Sequence, residues 1–418
     1  MLSVVSALEK LLLEFEVVIS EDVLLSRCHN RVLAENLHAT FDLPLFANSS
    51  MDGFAVIAED VQGASDNNPV ELSVIADIAA GSGVKKSLAK GQTIRIMTGA
   101  AVPDGCDAVV PIEDTDYTAN LTHNVFPCPI RINKPVKLGD YIRPKGQDVT
   151  AGEVVLELGN LLRSQEIGFL SMLGFEKLPV YRLPRVAILS TGDELVKPGK
   201  PLSPGKIYDA NSAMLTAQII ENGGECLDLG IAKDNYADIF RRLERGFSEH
   251  VDLIISSAGV SVGAFDLVRK VIEEHGSISF WRVNMRPGKP LAFGKYRNIP
   301  FIGLPGNPVS AFVGFEVFVR PAIAKMRGLK ERIRPVQKVV LNDEIFSDGR
   351  ESYLRGNVFQ KKDRLYASLT GHQGSGNLRS LIQSNAFLIV PSEVKSLPIG
   401  AEINAWITGT IPQADFEE

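Results

Sequence analysis

The sequence predicts a multidomain protein of the α/β-plus-β class, with a central parallel α/β domain, an inserted β-rich module, a small linking domain and a C-terminal β-barrel. Three observations carry that expectation. First, short apolar runs in the middle of the chain each end on glycine and hydroxyl residues. Val186-Ala187-Ile188-Leu189-Ser190 runs into Thr191-Gly192-Asp193-Glu194, and Phe301-Ile302-Gly303-Leu304 runs into Pro305-Gly306-Asn307-Pro308. A third run, Asp252-Leu253-Ile254-Ile255-Ser256-Ser257, ends at a glycine-serine turn over 258–263. Runs this short, alternating with helical stretches at 212–220 and 236–247, are the pattern of fully buried parallel strands. Second, from Asn48 to about Pro144 the texture changes to brief apolar runs cut by glycine and proline. Third, the chain alternates again from Val336 to its end, which reads as a small β-barrel or sandwich.

Taken in order, Val4, Val5, Leu8, Leu11 and Leu12 repeat at helical spacing behind Ser3, a suitable N-cap. A second short helix is expected over 21–28. Phe41-Asp42-Leu43-Pro44 then breaks the pattern, because proline forces the preceding residue extended. In the β-rich module the strands fall at 72–76, 93–97 and 108–111. Residues 161–172 turn helical and stop at Gly174, a good residue to follow a helix. One long helix is expected over 309–326, started by Pro308. Strands close the chain at 388–390 and 403–407. The simplest partition is 1–44 plus 142–178 for the helix and linking domain, 45–141 for the insertion, 179–328 for the α/β domain and 329–418 for the barrel.

Composition bounds the function. A chain of 418 residues is too long for one ordinary core. Its hydrophobic content of 45% and charged content of 22% are those of an ordinary globular protein. A net charge of −6 argues against a nucleic-acid partner, which needs a basic face. No apolar run is long enough to cross a bilayer and the N-terminus lacks a signal-peptide layout, so a cytoplasmic protein is expected. Cys28, Cys106, Cys128 and Cys226 lie scattered, as in a reducing compartment, and no paired histidines suggest zinc. Five histidines lack a motif and read as surface residues. His372, in Gly371-His372-Gln373-Gly374-Ser375, suggests a polar loop facing a ligand, or a plain turn.

Ligands of open α/β sheets collect at the carboxyl ends of the strands, which puts Asp193, Glu194, Ser261 and Asn307 on one rim. The turns 259–263 and 305–308 offer backbone amides to an anion, although tight strand-to-helix turns also need glycine for steric reasons alone. Asp52, Glu194, Asp209, Asp234 and Asp266 sit at predicted turns. Carboxylates there usually cap or face solvent, but a cluster opposite a phosphate would hold Mg²⁺. Arg286, Lys289 and Lys295 flank Pro287-Gly288 and Pro290, which fix the spacing of the charges. Anion donors beside Mg²⁺ ligands suit phosphoanhydride chemistry.

Several blocks carry a resemblance. Asn48-Ser49-Ser50-Met51-Asp52-Gly53-Phe54-Ala55 resembles the signature of the molybdopterin molybdenumtransferases, the family that includes the E domain of gephyrin. Arg95 to Ala100, Gly146 to Val149, Ser190 to Leu195 and Ile207 to Asn211 continue it. The turn ending in Asp266, Met285 to Pro290, Gly303 to Ser310 and Gly371 to Ser375 complete it, in the family's order. Three departures stand out. Arg286 replaces a lysine of some members, Ser50 the common alanine, and Pro144-Lys145 interrupts an arginine-rich run.

The resemblance implies insertion of molybdenum from molybdate into adenylylated molybdopterin, with release of AMP. Ser257, Gly259, Ser261 and Gly263 would hold the pterin and its phosphate, with Pro305, Asn307 and Pro308 beside them. Arg286, Lys289, Ser310, Arg350 and Ser375 would contact molybdate or the adenylate. Glu194, Asp234 and Asp266 would bind Mg²⁺. Asp52 and Thr98 would reach the site from the second subunit of a homodimer, and the adenylyltransferase that makes the substrate is a possible partner. Two other readings stay open: that adenylyltransferase itself, and a non-catalytic scaffold of the gephyrin kind.

Overall fold

The computed structural model describes residues 1–82, 86–118, 125–258, 264–330 and 334–413, apart from the side chains of Ala258, Ala264, Phe265, Asp266 and Trp281. The chain divides into two compact units, a larger one of 1–34, 159–167 and 177–418 and a smaller one of 35–158 and 168–176.

The larger unit is built on a six-stranded sheet whose order in space is Glu225–Ala232, Arg185–Thr191, Leu253–Ala258, Ile299–Gly303, Pro290–Tyr296 and Gly276–Arg282. The first four strands are parallel; three are the expected apolar runs, and the edge strand Glu225–Ala232 is one the sequence reading did not anticipate. The last two extend the sheet as an antiparallel pair that the sequence reading did not anticipate. Helices Ala210–Glu221, Tyr236–Ser248 and Ala264–His275 pack against the strands. Val186, Ile188, Leu253, Ile255 and Ile302 point to one buried face, and Ala187, Leu189, Ile254 and Phe301 to the other. Burial on both faces is what leaves these strands uniformly apolar.

The helix Val4–Leu12 is capped by Ser3, whose hydroxyl accepts from Ser6 N at 3.1 Å, and Val4, Ala7 and Leu11 bury against the sheet's core. The expected helix over 21–28 is instead the strand Ser20–Leu24 followed by a 3₁₀ turn, Leu25–Arg27. The strand pairs antiparallel with Lys177–Tyr181, and that distant ladder overrides the local propensity. The expected helix over 309–326 is one helical path in three pieces. Pro308–Gly314 and Arg320–Met326 are α-helical, and Phe315–Val319 between them is a π-helical turn.

The C-terminal region is a closed five-stranded barrel. Glu351–Lys361, Arg364–Leu369, Val336–Leu341, Glu402–Ile407 and Ala386–Val390 follow one another, and the last pairs back to the first. Closure leaves no free edge among these strands. Met285–Arg286 joins the barrel's first strand in parallel, which ties the loop at 286–290 to the barrel.

The smaller unit centres on a five-stranded sheet ordered Ala108–Pro111, Gly53–Val56, Gln92–Ile96, Val70–Ile78 and Cys128–Ile132. Three of its strands, Val70–Ile78, Gln92–Ile96 and Ala108–Pro111, lie at the expected apolar runs, and Gly53–Val56 and Cys128–Ile132 were not expected. Gly53 sits so close to its neighbour that an added Cβ would lie 2.0 Å from Val110 O, so no other residue fits. Among the described residues no helix is long and apolar enough to cross a membrane.

Candidate active site

A cleft of about 650 Å³ opens in the larger unit where the parallel strands end and the barrel begins. Thr191, Glu194, Ser257, Pro305, Gly306 and Asn307 line it from the sheet. Arg286 and Lys289 line it from the tied loop, and Arg350, Arg355 and Ser375 from the barrel. Thus Glu194, Ser257, Arg286, Lys289, Pro305, Asn307, Ser310, Arg350 and Ser375 come together as expected. Pro308 opens the helix directly after this rim. Gly259, Ser261 and Gly263 lie outside the described residues, as does the side chain of Asp266.

The basic side carries uncompensated charge. Neither Arg286 nor Lys289 has an ion-pair partner among the described residues. Arg350 differs, because Asp348 grips its guanidinium through Nε at 3.0 Å and through Nη2. That pairing holds the Asp348 carboxyl below the usual carboxylate range and leaves Arg350 less charge to offer a ligand. Arg350 Nη1 also donates to Met285 O at 3.2 Å, so the residue braces the loop.

Arg355, which the sequence reading passed over, is the largest fully buried side chain, 1% exposed. Its Nε donates to Ser380 Oγ at 3.0 Å and its Nη2 to Gly374 O at 3.1 Å. Gln373 clasps the Arg355 backbone, accepting from its N at 2.9 Å and donating to its O at 3.0 Å. Burial and then the neighbouring Arg286 push the Arg355 pKa down to about 10, so it remains a cation at neutral pH. A signal was present: an arginine inside Tyr353-Leu354-Arg355-Gly356, an otherwise apolar strand run, must be paired or face a polar cavity.

The loop this arginine braces meets the sheet through Asn307, whose Nδ2 donates to Ser375 Oγ at 3.0 Å, and through Val309 N, which donates to Ser375 O at 3.1 Å. His372 does not face the cleft. Its ring covers Gly374, with Cε1 2.4 Å from where a Cβ would stand. Lys295 is also elsewhere, pairing with Glu14 at 2.5 Å because its strand directs it away from the rim. His275 is half-buried rather than on the surface, with Nε2 2.9 Å from the Tyr236 hydroxyl.

The acidic residues separate. The Glu194 carboxylate folds over Gly192, where a Cβ would lie 2.6 Å from Oε2 and where φ is +144°. Only glycine accepts both the contact and that backbone. Asp193 and Asp234 cap each other, each backbone N donating to the other's carboxylate at 3.3 Å. This engages the Asp193 carboxylate as a cap, while Asp234 Oδ1 stays buried without a partner among the described residues. Asp209 caps the helix Ala210–Glu221, accepting from Ser212 N at 3.1 Å and Ser212 Oγ at 2.7 Å. Its role is structural. Among the described residues no three His, Cys, Asp or Glu side chains gather closely enough to hold a metal.

In the smaller unit, Asp52 and Thr98 form a tight pair. Asp52 Oδ1 accepts from both Thr98 N and Thr98 Oγ1, each at 2.7 Å. These two donors hold the Asp52 carboxyl below its ordinary pKa. Asp52 O accepts from Ile112 N at 3.0 Å, and with Gly53 locked beside it the aspartate is rigidly presented.

Known proteins match the whole of this arrangement. Residues 2–174 match the family model described as the MoeA N-terminal region, domains I and II. Residues 187–325 match a probable molybdopterin binding domain, and 338–407 the MoeA C-terminal region, domain IV. The molybdopterin molybdenumtransferase 2 of Mycobacterium tuberculosis is 37% identical over 389 residues, 91% of this chain and 93% of that one. The chain belongs to the molybdopterin molybdenumtransferase family. Another member, from Nostoc, is 40% identical over 380 residues, 89% of this chain and 85% of its own. The crystal structure of the molybdopterin biosynthesis MoeA protein from Pyrococcus horikoshii superposes with a TM-score of 0.80 at 31% identity, covering 97% of this chain and all of that one.

Proposed function

We propose that this enzyme of molybdenum cofactor biosynthesis inserts molybdenum from molybdate into adenylylated molybdopterin, with Mg²⁺-dependent release of AMP. The observation that carries the reading is the pair of unpaired cations, Arg286 and Lys289, facing strand-end turns across one cleft in a chain of this family. Molybdate is a tetrahedral dianion and needs such donors, and Ser310, Arg350 and Ser375 add hydroxyls and a fork beside them. Ser257, with the turn of Gly259, Ser261 and Gly263, holds the pterin and its phosphate. Pro305, Asn307 and Pro308 shape the opposite turn. Arg355 keeps the 373–375 loop in place, so that Ser375 meets the ligand without a loss of ordering entropy.

Mg²⁺ takes oxygen ligands from carboxylates and substrate phosphates, and Glu194 in the cleft would fit that donor set. The unpartnered Asp234 Oδ1 gives Asp234 spare acceptor capacity, and Asp266 is the third ligand in this reading. Held there, the ion would supply charge neutralisation to the pyrophosphate. Asp52 and Thr98 act from the second subunit of a homodimer, which works in the cytoplasm and receives substrate from the adenylyltransferase. The chain is read as four domains, 1–44 with 142–178, 45–141, 179–328 and 329–418.

The test is AMP release by purified protein given adenylylated molybdopterin, Mg²⁺ and molybdate. Molybdate-dependent release is the expected result. Tight binding of the nucleotide without turnover would reject the assignment. In the same assay Asp52→Ala should stay folded and slow release at least 100-fold, and normal turnover would remove Asp52 from the mechanism.

A further inference from the structure

The wall of the cleft formed by the sheet holds two polar atoms that the known chemistry of the site leaves unused. Asn211 is 8% exposed and Thr191 2% exposed, and both line the cleft. Asn211 Oδ1 and Thr191 Oγ1 are buried and have no hydrogen-bond partner among the described residues. Unsatisfied buried polar atoms are rare, so two on one wall call for a ligand or ordered water that completes them.

The orientation of the Asn211 amide is set by its other end. Nδ2 donates to Gly306 O at 2.7 Å, and a flipped amide would set oxygen against oxygen there. Asp209 caps the same helix and fixes the first turn that carries Asn211. The free atom is therefore an acceptor and nothing else. The ionised oxygens of molybdate, phosphate and pyrophosphate are themselves acceptors and do not pair with it. The group that meets Asn211 must donate a hydrogen, and the N–H groups on the amide edge of the pterin are such donors.

We propose that Asn211 is a specificity-determining residue that reads the amide edge of the pterin. Its Oδ1 accepts from the 2-amino group, and the Thr191 hydroxyl pairs with the adjoining ring heteroatom. The inference rests on the functional reading above and adds the direction of the substrate, with the ring toward Asn211 and the anionic groups toward Arg286 and Lys289. A site built to bond a ligand N–H rejects the analogue that lacks it, because the buried acceptor is then left unpaired.

The test compares pterin with lumazine, in which an oxygen replaces the 2-amino group, by fluorescence titration of the full chain. The wild-type protein should bind pterin at least about ten-fold tighter. Asn211→Leu should bring the ratio to within about two-fold, with affinities for molybdate and AMP unchanged. Asn211→Asp, which keeps an acceptor but loses the donation to Gly306, should retain part of the preference. A wild-type protein without preference overturns the inference and needs no variant to do so. A ratio that survives in Asn211→Leu also overturns it, as does a loss confined to AMP, which would put adenine there. Protein that binds neither pterin nor adenylylated molybdopterin fails the functional reading itself, and the inference goes with it.

Discussion

The two sides of the cleft are built on different principles. The sheet side carries one carboxylate, Glu194, among short neutral side chains at strand ends, and Thr191, Asn211 and Ser257 are buried in it. The barrel side is basic, made of long side chains on a loop tied to a strand. Coulomb attraction tolerates small displacements, whereas a single hydrogen bond does not. Recognition by shape and hydrogen is thus placed on the rigid sheet, and recognition by charge on the longer arms. The ends of one ligand are told apart by this difference.

The largest expected break falls on the brace between them. Arg355→Ala removes a buried, hydrogen-bonded cation and should cost about 3–5 kcal/mol of stability, read as a lower denaturation midpoint. It should also weaken molybdate binding by freeing the 373–375 loop, and an unchanged midpoint would show that Arg355 braces nothing. Next comes the exposed charge. Lys289→Ala should raise the molybdate concentration for half-maximal rate about ten-fold and leave the pterin-to-lumazine ratio alone, given charge-assisted bonds of about 1.5–3 kcal/mol. Raising ionic strength should reproduce that split, since salt screens the barrel side and spares the buried wall.

A smaller effect separates the two arginines near the loop. Asp348→Asn should tighten molybdate binding about two- to five-fold by releasing Arg350, at the scale of an exposed ion pair. Weaker binding would mean that Asp348 serves mainly to hold Arg350 in position. The smallest concerns the aspartate of the other unit. Thr98→Val removes one of two donors to the ionised Asp52, so its pKa rises toward the ordinary value. The acid limb of the rate profile should then move to higher pH. A limb that does not move assigns it to another group.

Legibility in the sequence followed how local each signal was. The three strand ends were plain, because burial on both faces leaves runs such as 186–190 without polar breaks. The strand at 20–24 was not, since its partner lies more than 150 residues away and its own pattern passes for a helix. The antiparallel pair at 276–282 and 290–296 was obscured by the glycines and prolines around it. Arg286 and Lys289 could be picked out as charge beside glycine and proline, and Ser375 through the family resemblance. Asn211 and Arg355 could not, because their roles depend on which atom remains unpaired after folding. The acidic residues show the same limit: Asp209 was a candidate cation ligand and Asp193 a rim residue, and both are engaged as caps.

The account depends on an oxyanion settling between the loop at 286–290 and the barrel. A crystal soaked in molybdate and measured at the molybdenum absorption edge tests it directly. The expected result is an anomalous peak within bonding distance of Lys289 Nζ and Ser375 Oγ, flanked by Arg286. A cleft left empty at saturating molybdate, with the peak elsewhere on the chain, would contradict it.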